Sequence, residues 1–164
     1  SFKPINPDGA PNVYRRSVYT FWKRTAPTPV MMAMDASKRD VCTVRRERTE
    51  SPSQSLIMLN STQFVETARA TADTLVQTHG TNSPTLLIED AFRSLTSRKP
   101  TDLESEILHQ LLDEQKAHFQ DQKQAEKFLK VGYYKSQSKD LSYLAAVTNL
   151  ISTLMNFDGT ISKR

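Results

Sequence analysis

The sequence has 164 residues, of which 37% are hydrophobic and 24% charged, with a formal net charge of +4 at pH 7. This composition is typical of a globular domain, and a chain of this length can bury roughly 70% of its unfolded surface. No apolar run approaches the ~20 residues that cross a bilayer, so we expect no membrane span. The single cysteine, Cys42, excludes an internal disulfide, and its apolar neighbours predict an ordinary buried thiol.

The basic charge is concentrated in the first third of the chain. Residues 1–50 contain ten Lys or Arg and five Asp or Glu, whereas the other residues contain twelve and thirteen. This segment can attract phosphate, sulfate or carboxylate groups, but it lacks the dense basic stripe of a nucleic-acid domain, and we expect no nucleic-acid partner. The three histidines lack metal-site spacing, the four glycines are isolated, and no haem-attachment motif occurs. We therefore expect no metal and no cofactor in this chain.

The first elements are the least regular. Residues 1–13 are rich in proline, which predicts an extended lead-in. A helix is then predicted by apolar residues at helical spacing, namely Tyr14, Val18, Phe21 and Trp22. It must end before Pro27, after which Asp35 is a candidate cap for a short helix through residues 38–40. The residue types at positions 41–49 favour a brief strand or an extended arm.

Clear helix signals begin at Ser51. With Pro52 and Gln54 it forms a capping box, which predicts a short helix, a break near Asn60, and a long helix up to Gly80.

Two further helices have clear start signals. Ser83 followed by proline starts one that Pro100 ends, and Thr101 with Glu104 is a second capping box. The predicted core positions of the second of these helices are Leu103, Ile107, Leu108, Leu111 and Leu112.

In the last third of the chain, the residue pattern predicts a bend within residues 113–124, another helix up to Gly132 and a polar loop over 133–139. Asp140 caps a final helix that is apolar around much of its girth, so we expect it to be the central one. The fold class is all-α, an irregular orthogonal helical bundle with an extended N-terminal arm. The predicted organisation is a lead-in at 1–13 and one helical domain at 14–164.

The candidate site is the polar concentration in the first third. Its guanidinium groups have three interpretations: they clamp the irregular arm onto the helices, they bind an anion or a sugar beside an aromatic face, or they act as catalytic electrophiles. The predicted ligand-binding residues are Arg15, Arg16, Tyr19, Trp22, Arg45, Arg46, Arg48 and Asn60. No catalytic residue can be named, so the pattern leaves open whether the protein is an enzyme.

Three parts of the sequence form distinctive strings. They are residues 14–25 (YRRSVYTFWKRT), residues 42–49 (CTVRRERT) with Pro52 and Gln54, and Leu59 and Asn60 followed by residues 63–66 (QFVE). These strings resemble the planctomycete-type PSD1 domain of unknown function. Residues 91–93, 98–101 and 154–158 resemble the C-terminal pattern of that domain. The sequence departs from the pattern at Glu50, where asparagine is usual, and at Gly159, where an acidic residue is usual.

The resemblance implies a C-terminal fragment of an exported multidomain protein, periplasmic or at the cell surface, often with a c-type cytochrome module. The leading hypothesis is a structural or partner-binding module that contacts an adjoining domain. One alternative is part of a site that binds or degrades acidic or sulfated polysaccharide. The other is a docking surface for the cytochrome module.

Overall fold

The computed structural model describes residues 9–23, 25–37, 42, 44–45, 49 and 51–161. The chain divides into two compact units, Ser1–Ile57 and Met58–Arg164. Every regular element in the described ranges is helical, which confirms the all-α class. The prediction of one domain over residues 14–164 stays a prediction.

The predicted first helix is not formed. The structure has two 3₁₀ turns there, Asn12–Tyr14 and Ser17–Tyr19, and neither buries a residue. Tyr14, Val18 and Phe21 are exposed, so their helical spacing does not correspond to a core-facing stripe. The physical reason is that apolar spacing specifies a helix only where a second surface covers it. The first α-helix, α1, is Pro29–Ala33, in a segment whose pattern predicted no element.

Two other expectations for this unit are wrong. Cys42 is exposed rather than buried, because nearby Val44 is itself exposed and forms no core around it. Asp35 adopts a positive φ of 54° and receives hydrogen bonds from Thr49 instead of capping a helix. Residues 38–41, on which the short helix and the start of the strand were placed, lie outside the described residues, as do 43, 46–48 and 50. The described residues of the 41–49 segment contain no strand.

Helices α2 (Pro52–Asn60) and α3 (Thr62–His79) begin and end where the sequence predicts. The Ser51 backbone N–H donates to Gln54 Oε1 at 3.0 Å, and the Gln54 N–H donates to Ser51 Oγ at 3.3 Å, which is the reciprocal capping box. Gly80 ends α3 with φ 67°. That conformation is costly for any residue with a Cβ.

The next three helices are α4 (Pro84–Thr96), α5 (Asp102–His118) and α6 (Gln122–Leu129). Thr101 and Glu104 form the predicted capping box at the start of α5. The bend predicted within residues 113–124 falls between α5 and α6. The predicted core of α5 is partly wrong, because Leu103 and Ile107 are exposed by 66% and 54%. Only one side of α5 packs on the core, and that side cannot bury all five of the apolar residues predicted there.

Helix α7 (Leu141–Met155) is the centre of the second unit, as predicted. It packs against α3, α5 and α6, with further contacts to α4 and to the short α8 (Asp158–Ile161). Residues 143–148 of α7 are all buried, and burial on every side explains why the helix is apolar around most of its circumference. Within the described ranges, no helix combines the length and apolar character that crossing a bilayer requires.

Candidate functional site

The predicted basic and aromatic residues of the first unit are mostly exposed. Arg15 and Arg16 lie between the two 3₁₀ turns, and Tyr19, the last residue of the second turn, is 74% exposed. Trp22 is half-buried and Arg45 is exposed. Arg46 and Arg48 lie outside the described residues. We call the exposed set Tyr14, Arg15, Arg16, Val18, Tyr19 and Phe21 the N-terminal surface.

The arginine clamp is not found among the described residues. No ion pair joins Arg15, Arg16 or Arg45 to a carboxylate in the part of the chain that the structure describes. Arg15, Arg16 and Arg45 are all exposed. The irregular segment of this unit is held by a carboxylate, and we did not predict that role.

That carboxylate is Asp35. It accepts hydrogen bonds from the Thr49 backbone N–H at 2.7 Å and from the Thr49 hydroxyl at 2.8 Å. Gln54 Nε2 also donates to it, at 3.2 Å. These bonds, led by the Thr49 backbone bond, lower the pKa of Asp35. Asp35 therefore joins α1 to the start of α2 as a fixed anion.

A second acidic anchor lies in the other unit. Asp73 of α3 is fully buried, and its carboxylate accepts four hydrogen bonds from the loop between α6 and α7. The donors are the Tyr134 hydroxyl (2.8 Å), the Gln137 N–H (2.9 Å), and the Ser138 N–H (3.0 Å) and hydroxyl (2.5 Å). Burial raises the pKa of Asp73, but the bonds from Ser138, Gln137 and Tyr134 outweigh it, and the pKa lies below its usual value.

Glu66, which lies seven residues before Asp73 on the same side of α3, holds the beginning of the same loop. Its carboxylate accepts the backbone N–H groups of Tyr133, at 2.6 Å, and Tyr134. It also lies against Gly132, where an added Cβ would sit 2.2 Å from Glu66 Cδ. Gly132 has φ 74°, so glycine is required here both by the backbone conformation and by the approach of the carboxylate.

Arg69 lies between these two acids in sequence. Its guanidinium donates to the Leu129 carbonyl and, at 2.5 Å, to the Tyr134 carbonyl. It also lies 5.7 Å from the Tyr134 ring centroid. Glu66, Arg69 and Asp73 are buried at spacings of three and four, so they form one row on α3, which we call the polar row. The polar row fixes the 130–140 loop by its backbone.

Sequence reasoning missed the polar row, although a signal existed. Glu66, Arg69 and Asp73 lie at helical spacing beside the apolar stripe of α3, where charged residues are rarely buried unless paired. Their partners are about 60 residues away in the chain, and no local pattern identifies them.

A groove of about 830 Å³ opens on the second unit. Its apolar lining comes from α2, α3, α5, α6 and the loop after α6, namely Leu59, Val65, Phe119, Phe128 and Val131. The Phe119 and Phe128 rings lie 5.1 Å apart between centroids, and Phe119 is only 4% exposed. The volume is within the range of small-ligand sites.

The polar lining of the groove is rich in amides: Asn60, Gln115, Gln124 and Asn149, together with His118 and Lys127. Asn149 Nδ2 donates to Gln115 Oε1 at 2.6 Å, and Gln124 Nε2 lies 3.2 Å from His118 Nε2. No carboxylate is among the described residues that line it. Among the predicted binding residues that the structure describes, Asn60 lines this groove.

In the described part of the chain, no group of three or more His, Cys, Asp or Glu side chains has the arrangement of a metal site. In the comparison with known families, the family model PSD1, described as a protein of unknown function (DUF1553), matches residues 3–112. The matched range covers the two basic strings and the capping boxes. Residues 154–158, which also resemble the family, lie beyond it. No curated protein and no solved structure matched the chain.

Proposed function

The chain belongs to the PSD1 family, whose function is unknown, and we propose that it is a partner-binding helical module. Its N-terminal surface binds an acidic face of an adjoining domain in the same exported protein. The observation that carries this proposal is the exposure of four large apolar side chains next to two exposed arginines, Arg15 and Arg16.

The chemistry of the N-terminal surface suits a protein partner. Interfaces are enriched in aromatic residues and arginine relative to the rest of a protein surface. Tyr14, Tyr19 and Phe21 supply large, rigid contact area, and Arg15 and Arg16 supply planar donors. A partner with carboxylates around an apolar centre would satisfy both kinds of group.

The internal polar groups support a structural role for the rest of the module. Asp35 and Asp73 both receive several hydrogen bonds from their own unit, and both have a lowered pKa. A carboxylate held as an anion in this way is a poor proton donor at neutral pH. Its bonds serve to fix a loop within its own unit.

The same surface supports a second candidate. Tyr19 is exposed near Arg15 and Arg16 in the chain, and an aromatic face beside guanidinium groups suits acidic or sulfated polysaccharide. A c-type cytochrome module with an acidic face is the other alternative, and it would bind the N-terminal surface through the same residues as an adjoining domain. Membership of the family supports an exported, periplasmic or cell-surface location for the protein with any of these three partners.

A photo-crosslinking amino acid placed at position 19 in the native host tests the proposal. We expect it to capture one acidic domain or protein. The same crosslinker at Leu86, which is exposed on α4, should not capture it. The captured domain is then produced separately, and its affinity for the chain is measured by calorimetry.

The variant Arg16→Glu should weaken that affinity by about tenfold, because it places like charges together at the interface. Lys123→Glu makes the same charge change on α6 and should leave the affinity unchanged. Capture from both positions alike, or no capture at all, would refute the proposal. Melting-temperature shifts with sulfated oligosaccharides, lost in Arg16→Glu, would favour the polysaccharide candidate instead.

A further inference from the structure

The groove on the second unit is a separate feature, and we infer that it binds an extended peptide segment that carries apolar side chains and one carboxylate. It lies on Met58–Arg164, away in sequence from the N-terminal surface. The inference concerns a second binding site and does not depend on the first.

The amide pair in the lining of the groove, Gln115 and Asn149, is the first reason. The bond from Asn149 Nδ2 to Gln115 Oε1 uses one half of each side chain. Asn149 Oδ1 remains as an acceptor and Gln115 Nε2 as a donor, neither with a partner in the described part of the chain. One donor beside one acceptor is the complement of a peptide group, which carries both.

The apolar lining is the second reason. In an extended segment, successive side chains point to opposite sides, so alternate residues face the same surface. Val65, Phe128 and Leu59 offer such a segment an apolar wall while the amides bond its backbone. A helical partner satisfies its own backbone groups and would have no use for the amide pair.

Charge is the third reason. Lys127 and His118 are the ionisable groups among the described lining residues, and no carboxylate opposes them. One exposed ammonium suits one carboxylate of the ligand, from an acidic side chain or from a chain terminus. It does not suit a polyanion, which would need several cations.

A neutral sugar fits this groove less well. Sugars stack on open aromatic faces, whereas Phe119 is almost fully buried and Phe128 is half-buried. The edge of His118 already contacts Phe119, with ring centroids 4.9 Å apart. The groove therefore lacks an open aromatic platform and offers aliphatic contact with directed amide bonds instead.

The test is selection of a displayed library of random nonapeptides on the purified chain. The library is used with free and with amidated C-termini, so that a terminal carboxylate is distinguished from a side-chain carboxylate. We expect enrichment of peptides with alternating apolar residues and one carboxylate. Binding of a fluorescent consensus peptide is then measured by anisotropy.

Lys127→Glu should weaken binding of the consensus peptide by about tenfold, and Arg93→Glu, the same charge change at an exposed position of α4 outside the groove lining, by less than about twofold. Asn149→Ala should weaken it as well, with retention of the fold checked by circular dichroism. Lack of enrichment, equal binding to Lys127→Glu and wild type, or displacement of the peptide by neutral oligosaccharides would each overturn the inference.

Discussion

The Tyr134 hydroxyl donates a 2.8 Å hydrogen bond to the Asp73 carboxylate, 61 residues earlier in the chain. Burial, and then this bond to Asp73, raises the pKa of the phenol. The bond ties the loop before the central helix α7 to the long helix α3. The stability of the second unit should therefore depend on a few polar groups as well as on its apolar core.

Replacing Tyr134 with phenylalanine removes one of the four donors to Asp73 and leaves the ring in place. Hydrogen bonds to charged groups contribute more than neutral ones, so we expect the free energy of unfolding to fall by about 1.5 kcal/mol. Urea denaturation followed by circular dichroism measures it. Tyr133→Phe is the matched control, because Tyr133 is exposed and should give no change.

Replacing Asp73 with asparagine should be more damaging. The amide keeps the shape of the carboxylate but turns a donor towards the backbone N–H of Gln137 or Ser138, which then loses its acceptor on Asp73. We expect a loss of roughly 3 kcal/mol. Asp113→Asn, at an exposed position of α5, should change stability by less than about 0.5 kcal/mol. Similar losses for the two variants would contradict an anchoring role for Asp73.

The pH dependence follows from the same lowered pKa values. The pKa of Asp73 is depressed in the fold, and that of Glu104 falls from 4.5 to about 2 through bonds from Arg98 and Thr101. As acid is added, these two carboxylates are therefore protonated at a higher pH in the unfolded chain than in the folded one. Their stabilisation is complete above pH 4.5 and is lost as the pH falls through the folded values.

The measurement is the free energy of unfolding at steps from pH 6 to pH 2. The wild type should lose stability steadily below pH 4.5. Glu104→Gln should show a shallower slope, and Asp73→Asn a shallower slope from a lower starting value. A slope unchanged in both variants would show that other carboxylates control the acid transition.

Gly132→Ala tests the contact between the 130–140 loop and Glu66. The new Cβ would lie 2.2 Å from Glu66 Cδ, and the carboxylate cannot move without breaking its bonds to the Tyr133 and Tyr134 N–H groups. Gly80→Ala is the control, since φ is also positive there, at 67°, but nothing lies within 4 Å. Strain alone should cost Gly80→Ala about 1 kcal/mol, and the clash should make Gly132→Ala cost about 3 kcal/mol. Equal costs would show that Glu66 yields freely.

The helix boundaries could be predicted from sequence because short-range chemistry sets them. Ser51 with Gln54, and Thr101 with Glu104, cap their helices within three residues, and Asp140 accepts the Tyr143 N–H at 2.9 Å. The same reasoning failed for Tyr14, Val18 and Phe21. Their spacing suits a helix, but they bury no surface that would stabilise one.

The candidate sites were predicted only in part. From the sequence we predicted Asn60, Arg15, Arg16 and Tyr19 as binding residues, because unusual polar and aromatic residues stand out by type, and their binding role stays a prediction. The sequence did not identify the groove, whose lining comes from residues 59 to 149 and depends on how five helices and a loop meet.

The helical class, the positions of the caps, the central place of α7 and the family could all be predicted, because each depends on neighbouring residues or on a continuous string. Which charged side chains are buried depends instead on the tertiary fold. The partners of Glu66, Arg69 and Asp73 are brought to them by chain folding across some 60 residues, and the free energy of a buried charge depends on those partners rather than on its neighbours in the chain.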